Sequence, residues 1–154
     1  MAESYLKFRG CTLELEASQF ALVFAALNDC MSRESAKWVA FPHLTELSQV
    51  IRAKNLDHDY YCVFDLDPYL LQKSDIAAFL ELIADSITFI RNAGWENGIS
   101  TSFYASFKNS GFAPPFVEGT NWRAVAWPLI QIAAILLLHN ESKDSWPLLK
   151  VLGW

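Results

Sequence analysis

Residues 60–67 read YYCVFDLD, and this stretch decides the fold predicted for the chain. Its first five residues carry no charged side chain, which is typical of a central strand that is buried on both faces. Asp67 and Pro68 end the strand. Ser74 is then expected to cap a helix whose apolar residues recur every three or four positions as far as Ile90. Gly94 is a suitable residue to end that helix.

The residues on either side of this unit alternate between strand-like and helix-like patterns. Residues 5–16 alternate apolar and polar side chains and predict a strand or short hairpin that turns at Arg9 and Gly10. Two amphipathic helices are predicted, one beginning at Ser18 and one at Pro42. A one-sided strand is predicted over 99–107 and an apolar helix over 124–138. We therefore predict an α+β fold with a small, mostly antiparallel sheet, packed on one face by several helices that include a long apolar C-terminal helix.

Length and composition place the chain in a broad class. A chain of 154 residues with 53% hydrophobic and 19% charged residues is expected to form one domain over residues 1–154. A pI near 5.1 argues against general nucleic-acid binding. The apolar stretch at 124–138 has 15 residues and contains Gln131, so a membrane span is not expected. Three cysteines without a CxxC pair predict reduced thiols and a cytoplasmic location.

Negative charge is concentrated in one quarter of the sequence. Residues 57–96 hold eight acidic and two basic residues, whereas the whole chain has a net charge of −5. The acids expected to face a basic protein partner are Asp57, Asp59, Asp65, Asp67 and Asp75. Asp57 and Asp59 precede the predicted strand at 60–64, and Asp65 and Asp67 follow it, so the two pairs are expected at opposite ends of the strand. The alternative is that these acids only cap strand and helix ends and hydrate a face.

Aromatic residues are frequent between 94 and 122, where four of the six glycines also lie. Trp95, Phe112 and Trp122 are candidate anchors for a protein partner, because aromatic side chains dominate binding hot spots. Two alternatives stay open. The aromatic residues could close the edge of the core, or they could form a pocket for a small hydrophobic ligand together with the helix at 124–138.

Residues 62–71, CVFDLDPYLL, resemble the first motif of haloacid-dehalogenase-like phosphatases. The resemblance implies a Mg²⁺-dependent phosphatase with Asp65 as nucleophile and Asp67 as general acid and base. That family continues with glycine and threonine after the second aspartate, where this chain has Pro68 and Tyr69.

Other chemistry-bearing motifs are absent from the sequence. It contains no GxSxG elbow, no phosphate-binding glycine loop and no cysteine–histidine cluster with zinc spacing. No catalytic, cofactor-binding or metal-binding residues are therefore predicted, and a free cysteine nucleophile would need a histidine nearby. A small, acidic, aromatic-rich chain of this kind looks like the immunity proteins with which bacteria neutralise toxins. The expectation is a non-catalytic protein-binding module of unknown oligomeric state.

Overall fold

The computed structural model describes residues 4–34, 41–57, 60–92 and 122–139. These ranges contain three strands: β1 (Ser4–Phe8), β2 (Cys11–Leu15) and β3 (Val63–Asp65). They also contain four helices: α1 (Ala17–Arg33), α2 (Pro42–Asp57), α3 (Lys73–Asn92) and α4 (Trp122–Leu138). The α+β class predicted from the sequence is confirmed. The strand predicted at 99–107 lies outside the described residues.

The hairpin predicted for the start of the chain is confirmed. β1 and β2 pair antiparallel, with Ser4 opposite Leu15 and Phe8 opposite Cys11. Arg9 and Gly10 form the turn, and both have positive φ angles, 45° and 80°. Two-residue hairpin turns need this conformation because it matches the right-handed twist of the strands. Glycine adopts it freely, whereas Arg9 needs support from its surroundings.

The sheet is mixed, with strand order β2-β1-β3. β3 runs parallel to β1, with Tyr5 beside Val63 and Lys7 beside Asp65. The chain between β2 and β3 passes through α1 and α2, and such a long crossover permits parallel pairing. The expected antiparallel arrangement thus holds for one of the two pairings. β3 is an outer strand of the described sheet, and its Val63 is 55% exposed, so the prediction of a strand buried on both faces is wrong.

The core lies between one face of this sheet and the helices. Leu6, Phe8 and Leu15 point from the hairpin into the core, and Phe64 points into it from β3. At its centre Phe24 of α1 makes three ring contacts. Its centroid is 5.4 Å from Phe20, 6.3 Å from Tyr60 and, edge to face, 5.2 Å from Phe64. Aromatic pairs at these distances stabilise a core beyond the area they bury.

The ends of two helices differ from the sequence prediction. α1 begins one residue after Glu16, whose backbone N–H donates to Gln19 Oε1 at 2.9 Å. The helix therefore starts before Ser18, which was the predicted cap. α3 begins at Lys73, before the predicted cap Ser74, and buried Asp75 accepts the backbone N–H of Gln72 through Oδ2 at 3.0 Å.

The last described helix is strongly apolar. α4 continues through Pro128 without separating into two helices. Val125, Leu129, Ile132 and Leu136 are buried at a spacing of three or four residues, which is the period of one helix face. None of the helices within the described residues combines the length and the hydropathy that crossing a bilayer requires.

The ring cluster around Phe24 predicts a large stability effect. Phe24→Ala should lower the free energy of unfolding by about 3–5 kcal/mol, because the cavity would open between α1 and β3. Urea unfolding followed by circular dichroism measures the change. Val63→Ala, at a half-exposed position of β3, is the matched control and should stay within about 0.5 kcal/mol of the parent protein. Equal effects of the two substitutions would contradict this position of Phe24 in the core.

Candidate functional site

Residues 60–67 alternate between the core and the surface. Tyr60, Phe64 and Leu66 are buried. Tyr61, Val63, Asp65 and Asp67 are exposed, and we call these four residues the outer row. Side chains two residues apart on a strand lie on the same face about 6.6 Å from each other. Val63 and Asp65 belong to β3, whereas Tyr61 precedes this strand and Asp67 follows it. Along the sequence the outer row therefore has two apolar side chains followed by two carboxylates.

Exposed apolar side chains are frequent in the sequence range that contains this row. Six large apolar residues are strongly exposed within the part of the chain that the structure describes, and four of them fall between 56 and 71. These four are Leu56 (69%), Tyr61 (60%), Val63 (55%) and Leu71 (55%). Single exposed apolar residues are ordinary on protein surfaces, whereas a concentration of them marks an interaction site.

The strand β1 sets the neighbours of the outer row. The register places half-buried Tyr5 beside Val63 and exposed Lys7 beside Asp65. On the other side of β1, Glu14 of β2 is opposite Tyr5. The solvent-facing side of the sheet therefore combines an aromatic and aliphatic centre with charged side chains around it, which is the usual anatomy of a protein-binding surface.

The two carboxylates at the end of the outer row also order the local backbone. Asp65 Oδ1 accepts the backbone N–H of Asp67 at 3.0 Å. Asp67 Oδ1 accepts the backbone N–H of Arg9 at 2.7 Å, and this bond supports the strained turn residue of the hairpin. A catalytic pair of the kind that the phosphatase resemblance implies would use these oxygens for metal and substrate. Here one oxygen of each carboxylate binds the backbone of the fold.

Of the other predicted partner-binding residues, Asp57 and Asp75 have described side chains, and neither belongs to the outer row. Asp57 is exposed at the end of α2, three residues before Tyr60. The carbonyl of Tyr60 accepts a hydrogen bond from the Ser4 hydroxyl at 2.6 Å, which places Tyr60 beside the first residue of β1. Asp57 comes before this point, whereas Asp65 is the last residue of β3. Asp75 is 4% exposed, and its carboxylate accepts the backbone N–H of Gln72 just before α3 begins. Asp59, Trp95 and Phe112 lie outside the described residues, and Trp122 is the first residue of α4.

The sequence reasoning missed Tyr61 and Val63 as surface residues. The uninterrupted apolar run at 60–64 gave no sign of an exposed face. The signal lay further along, where Asp65, Leu66 and Asp67 alternate between polar and apolar. Because the period of a strand is two, extending this alternation backwards places positions 63 and 61 on the same side as the carboxylates.

Metal-type donor atoms meet at one place between α1 and α3. Cys30, Glu34 and Asp85 each offer one potential ligand atom, and these atoms lie within 4.8 Å of one another. Burial raises the pKa of the Cys30 thiol from 9.0 to about 11, against the opposing effect of a hydrogen bond with Ser86. The thiolate is the form that binds metals, so this cysteine would have to lose a tightly held proton first.

A cysteine and a histidine distant in sequence also come together. Cys11 Sγ lies 3.6 Å from His139 Nε2, within the reach of a hydrogen bond to sulfur. The two residues are 128 positions apart, and no local pattern in the sequence indicates their contact. The sequence predicts Cys11 only as one of three reduced thiols.

The buried thiol of Cys30 predicts how stability changes at alkaline pH. The folded protein holds the Cys30 proton up to pH about 11, whereas the unfolded chain releases it near pH 9. The stabilisation is complete below pH 9 and is lost as pH rises through 11, by up to about 2–3 kcal/mol. Urea unfolding at pH 7, 9 and 10.5 should therefore give a steeper fall for the parent protein than for Cys30→Ala.

Cys30→Val is the control for this experiment, because it also removes the titrating thiol but, unlike Cys30→Ala, leaves no cavity. Both variants should show the shallower pH dependence, whatever their stability at pH 7. Stability curves that run parallel for the parent protein and both variants would show that Cys30 does not titrate in this way.

Comparison with known proteins does not assign a function to these residues. No family model matches the chain, no curated protein matches it, and no solved structure matches its fold. The function has to be inferred from the described residues and their geometry.

Proposed function

We propose that this protein is a non-catalytic protein-binding module, most concretely an immunity-type inhibitor that neutralises a bacterial toxin in the cytoplasm. The observation that carries the proposal is the outer row, in which exposed apolar side chains and exposed carboxylates follow one another along β3 and the residues that flank it. Interfaces combine a small apolar centre, which supplies most of the affinity, with charged residues that steer and orient the partner.

Tyr61 is the proposed anchor of the interface. It is a large side chain with 60% of its surface exposed, and its neighbours along the outer row are Val63 and then Asp65. Tyrosine is enriched among hot-spot residues because it buries a large area with few rotatable bonds and keeps a polar hydroxyl. The backbone on both sides of Tyr61 is held by the hairpin, because the Cys62 carbonyl accepts the Tyr5 N–H at 3.0 Å and the Tyr60 carbonyl accepts the Ser4 hydroxyl at 2.6 Å. Little ordering is therefore needed on binding.

The charge of this region supports a basic partner. Residues 56–71 contain four aspartates and no lysine or arginine. Lys7 lies beside Asp65 in the strand register, and Arg9 donates its backbone N–H to Asp67, so basic residues border the carboxylates on the hairpin side. Toxins that act on nucleic acids present basic clefts to the phosphate backbone, and an acidic strand is complementary to such a cleft.

Two kinds of variant test the contribution of the outer row. Tyr61→Ala should weaken binding about tenfold or more, mainly through faster dissociation. The double variant Asp65→Asn and Asp67→Asn keeps the oxygen acceptors for the turn but removes two charges. It should slow association about threefold to tenfold at low salt and flatten the salt dependence. Surface plasmon resonance with the captured partner measures both rates.

The partner is obtained by capture of lysate proteins on the tagged full-length protein, with the variants run in parallel. Trp127→Ala on α4 is the control for the loss of an exposed aromatic residue, since Trp127 is 51% exposed. The double variant Glu46→Gln and Glu81→Gln is the control for the charge change, because both glutamates are exposed on helices. A specific partner should be captured in equal amounts by the parent protein and both control variants. The outer-row variants should capture less of it or none.

The toxin identity of that partner requires a separate readout. Expression of the captured protein alone should arrest growth, and co-expression of this chain should restore it, less effectively for Tyr61→Ala. If the captured partner does not arrest growth when it is expressed alone, the immunity function is contradicted, and only the proposal of a protein-binding module stands. Binding that is indifferent to all outer-row substitutions and to salt would contradict the proposed surface itself.

A further inference from the structure

The contact between Cys11 and His139 points to chemistry that the proposed binding surface does not use. We propose that Cys11 is a reactive thiol, activated by His139, that forms mixed disulfides with small disulfides of the glutathione type. The geometry carries this proposal. Sγ and Nε2 are 3.6 Å apart, and both residues are half-buried rather than enclosed in the core.

The fold holds both members of this thiol–imidazole pair in place. Cys11 is the first residue of β2 and is paired with Phe8 of β1. The ring of His139 packs edge-on against Phe8, with centroids 5.4 Å apart and an interplanar angle of 89°. The His139 backbone N–H donates to the Leu136 carbonyl at 3.1 Å, which fixes the residue to the end of α4. A base that is positioned in this way meets the geometric requirement for activating a nucleophile.

The surroundings of the pair include a cation and differ from those of Cys30. Arg9 lies two residues before Cys11, and its guanidinium carbon is 5.2 Å from the centroid of Phe8, the same ring that His139 contacts. An imidazole beside the sulfur is a feature that distinguishes reactive cysteines from structural ones. Cys30, in contrast, is 1% exposed, and burial raises its pKa.

The proposed reaction is thiol–disulfide exchange. His139 Nε2, unprotonated in the tautomer with hydrogen on Nδ1, accepts the proton of the Cys11 thiol. The thiolate attacks one sulfur of the small disulfide, so a bond forms from Sγ to that sulfur while the disulfide bond of the reagent breaks. The departing thiolate takes the proton from the His139 imidazolium. The small disulfide is the oxidant, and one equivalent of small thiol is released.

The test compares the cysteines within one native molecule. The full-length protein is incubated with oxidised glutathione at pH 7, and modification of each cysteine is followed over time by peptide mass spectrometry. Cys11 should be modified at least about tenfold faster than Cys62, since a positioned general base accelerates such a step by this factor or more. Cys62 is a suitable reference because it is also half-buried.

His139→Phe tests the role of the imidazole, because it preserves an aromatic ring against Phe8 and removes the nitrogen. The rate at Cys11 should fall about tenfold, whereas the rate at Cys62 should not change. Partial unfolding would instead raise the rates at Cys62 and Cys30. If His139→Phe does not fold by circular dichroism, His139→Gln replaces it with the same expected result. A Cys11 rate no faster than that of Cys62, or one unaffected by loss of the imidazole, would overturn the proposal.

Discussion

The parallel pairing of β3 with β1 is the constraint on which the rest of the described structure depends. It is held by Tyr5 N–H to the Cys62 carbonyl at 3.0 Å and by Leu66 N–H to the Lys7 carbonyl at 2.9 Å. The side chains of Ser4 and Asp67 add one bond at each end of the pairing. With both ends fixed, each residue between 60 and 67 has a defined side of the sheet.

This pairing separates stability from the proposed function within one short segment. The inward residues Tyr60 and Phe64 pack against Phe24 of α1 and connect the sheet to the helices. The outward residues contribute little to the core and are available to a partner. Asp67 serves both roles, because one carboxylate oxygen supports the turn at Arg9 while the side chain remains exposed. Replacement of Tyr61 or Val63 should therefore alter binding with a modest effect on folding, whereas a variant of Asp67 has to keep the oxygen that accepts the Arg9 N–H.

The local elements were predictable from the sequence, and the long-range contacts were not. The hairpin at Arg9–Gly10 and the helix from Pro42 follow from periodicity and turn residues, and both are confirmed. The predicted acids at 65 and 67 lie together, whereas Asp75 is buried as a helix-end acceptor. The parallel partner of β3 and the contact of Cys11 with His139 join residues more than 50 positions apart, where periodicity carries no information.

Chemical labelling of the adjacent residues Tyr60 and Tyr61 tests the central claim most directly. A shift of one residue in the β3 register would exchange every side chain between the core and the surface. Tyr60 is 2% exposed and Tyr61 is 60% exposed, so nitration of the native protein followed by peptide mass spectrometry should modify Tyr61 and spare Tyr60. Modification of Tyr60 in preference to Tyr61, or of both at equal rates in the folded protein, would contradict the outward orientation of the outer row.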